Sequence, residues 1–105
     1  MKMLKARAVP EIKPVPVRET ELGPMYWVII HNDEVTPMDF VIHILERIFQ
    51  ITGPTAIHIM LTAHYNGSAY VQRLPKDEAQ KRIRQAHFAA RVKGYPLQFS
   101  IEPEK

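Results

Sequence analysis

Oxygen-bearing side chains are concentrated in residues 32–39, where an apolar strand-like run gives way to an apolar helix-like run. Thr36 or Asp39 could cap that helix and Pro37 suits its first turn, but one cap needs only one oxygen. The acceptors left over are Asn32, Asp33 and Glu34. Such a cluster at the start of a helix predicts a site for a cation or for several N–H donors.

A further acceptor is predicted in residues 54–67, which begin with a helix-compatible proline and end with Asn66–Gly67, a typical helix stop. One apolar face of this helix follows from helical spacing and comprises Ala56, Ile59, Met60 and Ala63. His64 follows at the edge of that face, and the nitrogen of a neutral imidazole can accept a hydrogen bond.

The order and spacing of these residues resemble the ClpS family, adaptors that hand proteins with destabilising N-terminal residues to a Clp unfoldase. The resemblance extends from about Tyr26 to Glu102. Residues that carry it are Asn32, Asp33, Thr36, Pro37, Met38 and Phe40, then Met60, Leu61, His64 and Tyr65, and finally Gly94, Tyr95, Pro96 and Leu97. No single motif here identifies the family, but the order and separation of the motifs do.

The resemblance implies a site for the amine of a substrate's N-terminal residue. This amine presents up to three N–H donors and is mostly cationic near neutral pH, so several acceptors must converge on it. The family's amine-binding set falls on Asn32, Glu34 and His64, with Asp33 placed to hold the peptide behind its first residue. Judged by the residues alone, Asn32 and Asp33 could instead fix a turn through bonds to nearby backbone.

The resemblance also implies a pocket for a first residue that is Leu, Phe, Tyr or Trp. Its lining falls on Thr36, Met38, Val41, Met60, Ala63 and Leu97. Methionine suits such a pocket because its thioether adapts its shape at little cost. An apolar stripe is more often core, and only the resemblance separates pocket from core here. Two residues depart from the family pattern: Glu34 replaces the usual Asp, and Ala63 replaces the usual Val and should enlarge the pocket.

Hydrophobic periodicity predicts an α+β fold with the element order βααβαβ, in one domain spanning residues 25–105. We expect a small three-stranded, mainly antiparallel sheet covered on one face by three helices, as in the family. The predicted elements are strands at 25–31, 68–74 and 95–101 and helices at 38–51, 54–65 and 75–92. Residues 1–24 are rich in proline and lack apolar periodicity, so they predict a flexible N-terminal extension, which in the family the unfoldase engages.

Composition excludes several classes of function for this 105-residue chain of net charge +3. It has no cysteine, so it forms no disulfide or thiolate metal site and has no cysteine nucleophile, as suits the cytoplasm. No apolar run approaches the roughly 20 residues that span a membrane. The five histidines lack metal-site spacing, and we expect them at the surface. Neither serine has a nucleophile context, so we predict no enzyme activity, cofactor or metal.

The predicted partner is a Clp AAA+ unfoldase of the ClpA or ClpC type, with proteins bearing N-terminal Leu, Phe, Tyr or Trp as substrates. An alternative comes from the basic side chains of residues 76–93, which could form a nucleic-acid- or ribosome-associated module. A third possibility is a divergent adaptor that binds the unfoldase but no longer binds N-terminal residues.

Overall fold

Three strands and three helices make up the computed structural model of the chain, which describes residues 23–104. The predicted N-terminal extension, residues 1–24, lies outside the described residues except for its last two. The elements in chain order are β1 Met25–His31, α1 Met38–Arg47, α2 Gly53–Asn66, β2 Ser68–Pro75, α3 Lys76–Lys93 and β3 Gln98–Pro103. The order predicted from the sequence is therefore confirmed.

The sheet has the order β2–β1–β3, and β1 pairs antiparallel with both neighbours. In β1, Val28 and Ile30 are buried, whereas the residues between and around them are only partly buried. This alternation is typical of a sheet with one face against the core, and it confirms the predicted α+β architecture. A bulge shifts the β1–β2 register between Val28 and Ile29.

Each helix buries one apolar face, and in α2 this face is the stripe predicted from the sequence. The buried helical side chains are Val41, Ile44 and Leu45 in α1, Ala56, Ile59, Met60 and Ala63 in α2, and Ala79, Ala86 and Ala90 in α3. Alanine dominates the buried face of α3, which allows its backbone to approach the sheet closely. Within residues 23–104, no helix combines the length and hydropathy needed to cross a bilayer.

The first helix ends four residues earlier than predicted, at Arg47 rather than Ile51. The Ile51 N–H bonds the carbonyl of Leu45 at 3.1 Å, and Gln50 adopts φ 57°, so the chain reverses without glycine or proline. The reversal leaves Phe49 fully buried, with its ring centroid 5.1 Å from that of Phe99. Burial of this ring, rather than a local stop signal, accounts for the early end of the helix.

His87 is not at the surface as predicted, since its side chain is partly buried between α3 and the edge strand β3. Its Nε2 accepts a hydrogen bond from the Phe99 N–H at 2.9 Å, which satisfies a backbone donor of that strand. Acceptance requires an unprotonated nitrogen. Burial lowers the pKa of the His87 imidazole below its ordinary value, and the nearby charge of Arg91 lowers it further.

This arrangement predicts a loss of stability in mild acid. The ordinary pKa of histidine is 6.5, and the pKa of His87 in the folded chain is lower. As the pH decreases below 6.5, the unfolded chain therefore takes up a proton on His87 before the folded chain does, and the free energy of unfolding decreases. His87→Gln, which can accept but does not titrate in this range, should reduce that fall, as urea unfolding between about pH 7.5 and 5.5 would measure. His87→Ala should cost about 1–3 kcal/mol at neutral pH because the Phe99 N–H loses its acceptor. An unchanged pH dependence in His87→Gln would contradict the assignment.

Candidate functional site

The site forms at the end of β1, the central strand, where a neighbouring strand lies on each side of β1. His31, the last residue of β1, pairs with Ser68 on one side and Gln98 on the other. Leu97 therefore lies beside the chain as it leaves β1. On the opposite side, the Asn32 N–H bonds the carbonyl of Gly67 at 2.9 Å, which ties the loop after β1 to the end of α2.

Gly67 makes this junction possible. It ends α2 with φ 94°, a left-handed conformation that favours glycine, and its N–H bonds the Ala63 carbonyl at 2.8 Å. Its own carbonyl then faces Asn32. The last turn of α2, which carries Ala63 and His64, is thereby fixed beside the loop.

A cavity of about 120 Å³ opens between this loop, the start of α1 and the end of α2. Its walls contain every residue that the sequence analysis proposed for the site: Asn32, Asp33, Glu34, Thr36, Met38, Val41, Met60, Ala63, His64 and Leu97. These residues come from four parts of the chain, and the fold brings them together around one space. Their roles in binding stay predictions.

The wall of the cavity opposite the polar residues is apolar and well packed. Met60, Ala63 and Leu97 are at least 92% buried, and Val41 belongs to the same core cluster. Met38 differs, since it begins α1 at the mouth of the cavity and is 44% exposed. The cavity thus has a fixed apolar interior and one adaptable side chain at its entrance.

Asp33 shapes the loop that carries the other polar residues. Its Oδ1 accepts hydrogen bonds from the N–H groups of Val35 and Thr36 at 2.8 and 2.7 Å. Its Oδ2 accepts one from the Thr36 hydroxyl at 2.9 Å. Partial burial raises the pKa of the Asp33 carboxyl, but these three hydrogen bonds outweigh burial and hold the pKa below its ordinary value. Within the chain, Asp33 therefore fixes the turn through bonds to nearby backbone, as the alternative interpretation of this residue predicts.

The helix cap predicted at Thr36 or Asp39 is wrong. The N-cap residue of α1 is Pro37, and no side chain within residues 23–104 caps the helix there. Thr36 lies one residue before the N-cap position, and its hydroxyl donates a hydrogen bond to Asp33. Thr36 instead closes the loop and contributes to the cavity wall.

Three polar side chains at the cavity keep their acceptors free. The Asn32 amide, the Glu34 carboxylate and the His64 imidazole make no hydrogen bond or ion pair with any residue that the structure describes. His64 has one ring contact, edge to face with Tyr65 at 5.0 Å between centroids. Glu34 and His64 are exposed and Asn32 is partly buried. All three can thus take N–H donors from a ligand at the cavity mouth.

Two residues that line the cavity, Ile30 and His31, were not predicted from the sequence. Ile30 is 2% exposed, and strand alternation could have placed it on the same face as Val28, toward the helices. The His31 imidazole lies 2.7 Å from the Ser100 hydroxyl, across the β1–β3 pair. No spacing signal in the sequence links those two residues.

The described part of the chain shows no metal centre, and not every basic side chain of α3 is available to bind nucleic acid. No group of three His, Cys, Asp or Glu side chains within residues 23–104 could hold a metal ion. On α3, Arg82 pairs with Glu78 at 2.8 Å and donates to Gln72 at 3.1 Å. This cation therefore joins α3 to β2, which weakens the alternative of a nucleic-acid interface along the helix.

Comparisons with known proteins agree on one family. A family model for the ATP-dependent Clp protease adaptor protein ClpS matches residues 21–100. The ATP-dependent Clp protease adapter protein ClpS of Desulfatibacillum aliphaticivorans is 37% identical over 89 residues, covering 85% of this chain and 86% of its own. ClpS 2 of Mesorhizobium japonicum is 40% identical over 87 residues, covering 83% of this chain and 86% of its own.

A solved structure extends the similarity to three dimensions. The structure of Agrobacterium tumefaciens ClpS2 bound to L-phenylalaninamide matches with a TM-score of 0.74 and 36% sequence identity. The match covers 77% of this chain and 98% of that one.

Proposed function

The chain belongs to the ClpS family of ATP-dependent Clp protease adaptor proteins, and we propose that it binds the N-terminal residue of protein substrates and delivers them to a Clp unfoldase. One observation carries the proposal: three acceptor side chains that bond no residue in the described part of the chain stand at the mouth of a cavity whose interior wall is apolar. An N-terminal residue is the part of a protein that combines several N–H donors with a side chain only a few ångströms away.

The polar half of the cavity suits the α-amine. The protonated amine has three donors, and Asn32, Glu34 and neutral His64 offer three acceptors, one of them charged. A charge-assisted bond to Glu34 is the strongest of these contacts. The longer side chain of Glu34, compared with the family's usual Asp, lets its carboxylate reach the amine from an exposed position. Asp33 is proposed to act mainly by holding the loop, because three intramolecular donors already use its carboxylate.

The apolar half suits one bulky side chain. A cavity of about 150 Å³ accommodates a benzene ring, so the 120 Å³ found here, open at one end, can accept a ring or a branched aliphatic group. The related Agrobacterium tumefaciens protein binds L-phenylalaninamide, which combines a free amine with such a ring. Met38 at the mouth is proposed to select against β-branched first residues, whose extra methyl group would meet it.

Delivery is the second half of the proposal. The adaptor family implies a Clp AAA+ unfoldase as partner, of the ClpA or ClpC type, and hence a cytoplasmic location. Substrates would be proteins that begin with Leu, Phe, Tyr or Trp. The chain itself would make or break no covalent bond in the substrate.

The proposal is tested by peptides that differ only in their first residue. Peptides beginning with Phe, Tyr, Trp or Leu should bind about 10- to 100-fold more tightly than those beginning with Ala, Ser or Asp, since burying a large apolar side chain is worth about 1.5–3 kcal/mol. Fluorescence anisotropy or calorimetry would measure the affinities. Leu61→Ser is a matched control, because Leu61 is partly exposed on α2 outside the cavity. Affinity independent of the first residue would contradict the proposed function.

Specificity within the bulky residues is expected to depend on Ala63. A valine there would project two more methyl groups toward the cavity, and methyl-sized volumes in a hydrophobic pocket are worth about 1–3 kcal/mol. We therefore expect this chain to prefer Phe, Tyr or Trp over Leu, and Ala63→Val to shift the preference toward Leu. Thr62→Val, one residue away and outside the cavity, is the control. If Ala63→Val leaves the ratio of Trp to Leu affinities unchanged, Ala63 is a packing residue only.

A further inference from the structure

A second concave surface lies on the opposite side of α1 from the cavity. This surface, which we call the α1–α3 groove, has a volume of about 700 Å³ and runs between α1 and the C-terminal half of α3. Its floor is apolar and includes Phe40 and Tyr95, whose rings meet edge to face at 4.9 Å between centroids. The groove and the cavity have no lining residue in common.

Two large apolar side chains form the exposed wall of the groove. Phe88 is 65% exposed and Val92 is 68% exposed, although both belong to a helix whose buried face is built from alanines. They are four residues apart and therefore stand on the same side of α3. Core packing does not explain them, and adjacent exposed apolar side chains are a mark of interaction surfaces.

The charges at the ends of the groove are mainly positive. Arg47 lies in the last turn of α1 and Lys93 is the last residue of α3, and both are exposed. Neither forms an ion pair with another residue in the described part of the chain. Each can stabilise its helix end through the helix dipole, but that effect requires no apolar groove between them. Among the described residues, Asp39 is the only acidic one in the lining.

We propose that the α1–α3 groove binds an acidic amphipathic segment of a partner protein, at a site separate from the cavity. Apolar side chains of the segment would pack on Phe88, Val92 and the floor, as in other helix-in-groove complexes, and flanking carboxylates would meet Arg47 and Lys93. A second copy of this chain fits less well, because its groove carries the same excess of positive over negative side chains. Residues 1–22 also carry more Lys and Arg than Asp and Glu, so the charges at the groove would repel them.

The test uses the full-length protein and a designed peptide. The peptide is N-acetylated to keep it out of the cavity, places leucines at helical i, i+3, i+4 and i+7 spacing, and carries glutamates on either side of that stripe. A peptide of the same composition with the leucines dispersed is its control. We expect saturable binding of the first peptide in about 0.15 M salt, no binding of the second, and no competition from a peptide with a free N-terminal Phe.

Variants locate the site. Phe88→Ser with Val92→Ser should weaken binding about tenfold or more without disturbing the core, since both side chains are largely exposed. Arg47→Glu with Lys93→Glu should weaken binding of the acidic peptide about two- to tenfold. The same double variant should strengthen binding of a peptide with lysines in place of the glutamates. Lys81→Glu, an exposed position of α3 outside the groove, makes the same charge change per residue and should have no effect.

Three outcomes would overturn the proposal. The first is absence of binding, or binding that the groove variants leave unchanged. The second is self-association of the protein that Phe88→Ser abolishes, which would assign the groove to a second copy. The third is tighter binding of a single-stranded oligonucleotide at the groove, with the steep salt dependence of phosphate contacts.

Discussion

Acetylation of the α-amine should weaken binding of a peptide that begins with Phe by at least about 100-fold, which is the largest effect expected at the cavity. The acetylated nitrogen has one N–H and no charge, whereas the free amine offers three donors to Asn32, Glu34 and His64. Hydrogen bonds to charged groups are worth about 1.5–3 kcal/mol each, so losing two of them costs about 3 kcal/mol or more. Titration of the two peptides by calorimetry would measure the difference directly.

Combining acetylation with a protein variant shows which side chain receives the amine. Asn32→Ala removes a side chain that makes no bond within the described chain and leaves the backbone bond from Asn32 to Gly67 in place. If Asn32 accepts from the amine, this variant should weaken binding of the peptide with a free amine but hardly change binding of the acetylated peptide. The difference between these two effects is the coupling free energy, which should be about 1–3 kcal/mol. Asn66→Ala, an exposed amide outside the cavity, is the matched control. Equal affinity of the two peptides for the unmodified protein would exclude amine recognition.

Periodicity in the sequence was sufficient for the fold because its signals agree with one another. Each signal predicted one element in the order βααβαβ, and the structure contains those elements in that order, with the predicted stripe of α2 buried. The site required more than periodicity, since Asn32 and Leu97 are far apart in sequence. The antiparallel pairing of His31 with Gln98 brings them together, and only the family resemblance anticipated that contact.

Features that the sequence did not predict depend on contacts across the fold. The early end of α1 follows from burial of Phe49 against Phe99, and the position of His87 follows from the unpaired side of an edge strand. Thr36 was a reasonable cap by residue type, but the N-cap position falls one residue later, at Pro37. Phe88 and Val92 lie away from the buried alanine face of α3, and the groove beside them is lined by residues of α1 as well as α3. At the end of α1 and at His87, a partner distant in sequence overrides the local preference.

Deleting residues 1–22 should abolish degradation of a substrate while leaving its binding unchanged. The cavity-lining residues that the structure describes all lie at or beyond Ile30, so the truncated protein keeps every residue proposed for the site. The deleted segment contains Pro10, Pro14 and Pro16 and no apolar periodicity, a composition poorly suited to packing on the domain. We expect it to serve as the segment that the unfoldase engages. Loss of fluorescence from a green fluorescent protein beginning with Phe, incubated with the Clp unfoldase and protease, would measure delivery.

Replacing residues 1–22 by a Gly/Ser-rich segment of equal length distinguishes length from sequence. A flexible chain of 22 residues spans roughly 25 Å on average, so the replacement preserves reach while removing every native side chain. Restored degradation would mean that the unfoldase requires only an extended chain, whereas continued failure would mean that it reads particular residues. Degradation by the truncated protein at the full rate would contradict the proposed role, because delivery would then depend on the folded domain alone. Peptide affinity measured on the same samples separates this result from any damage to the cavity.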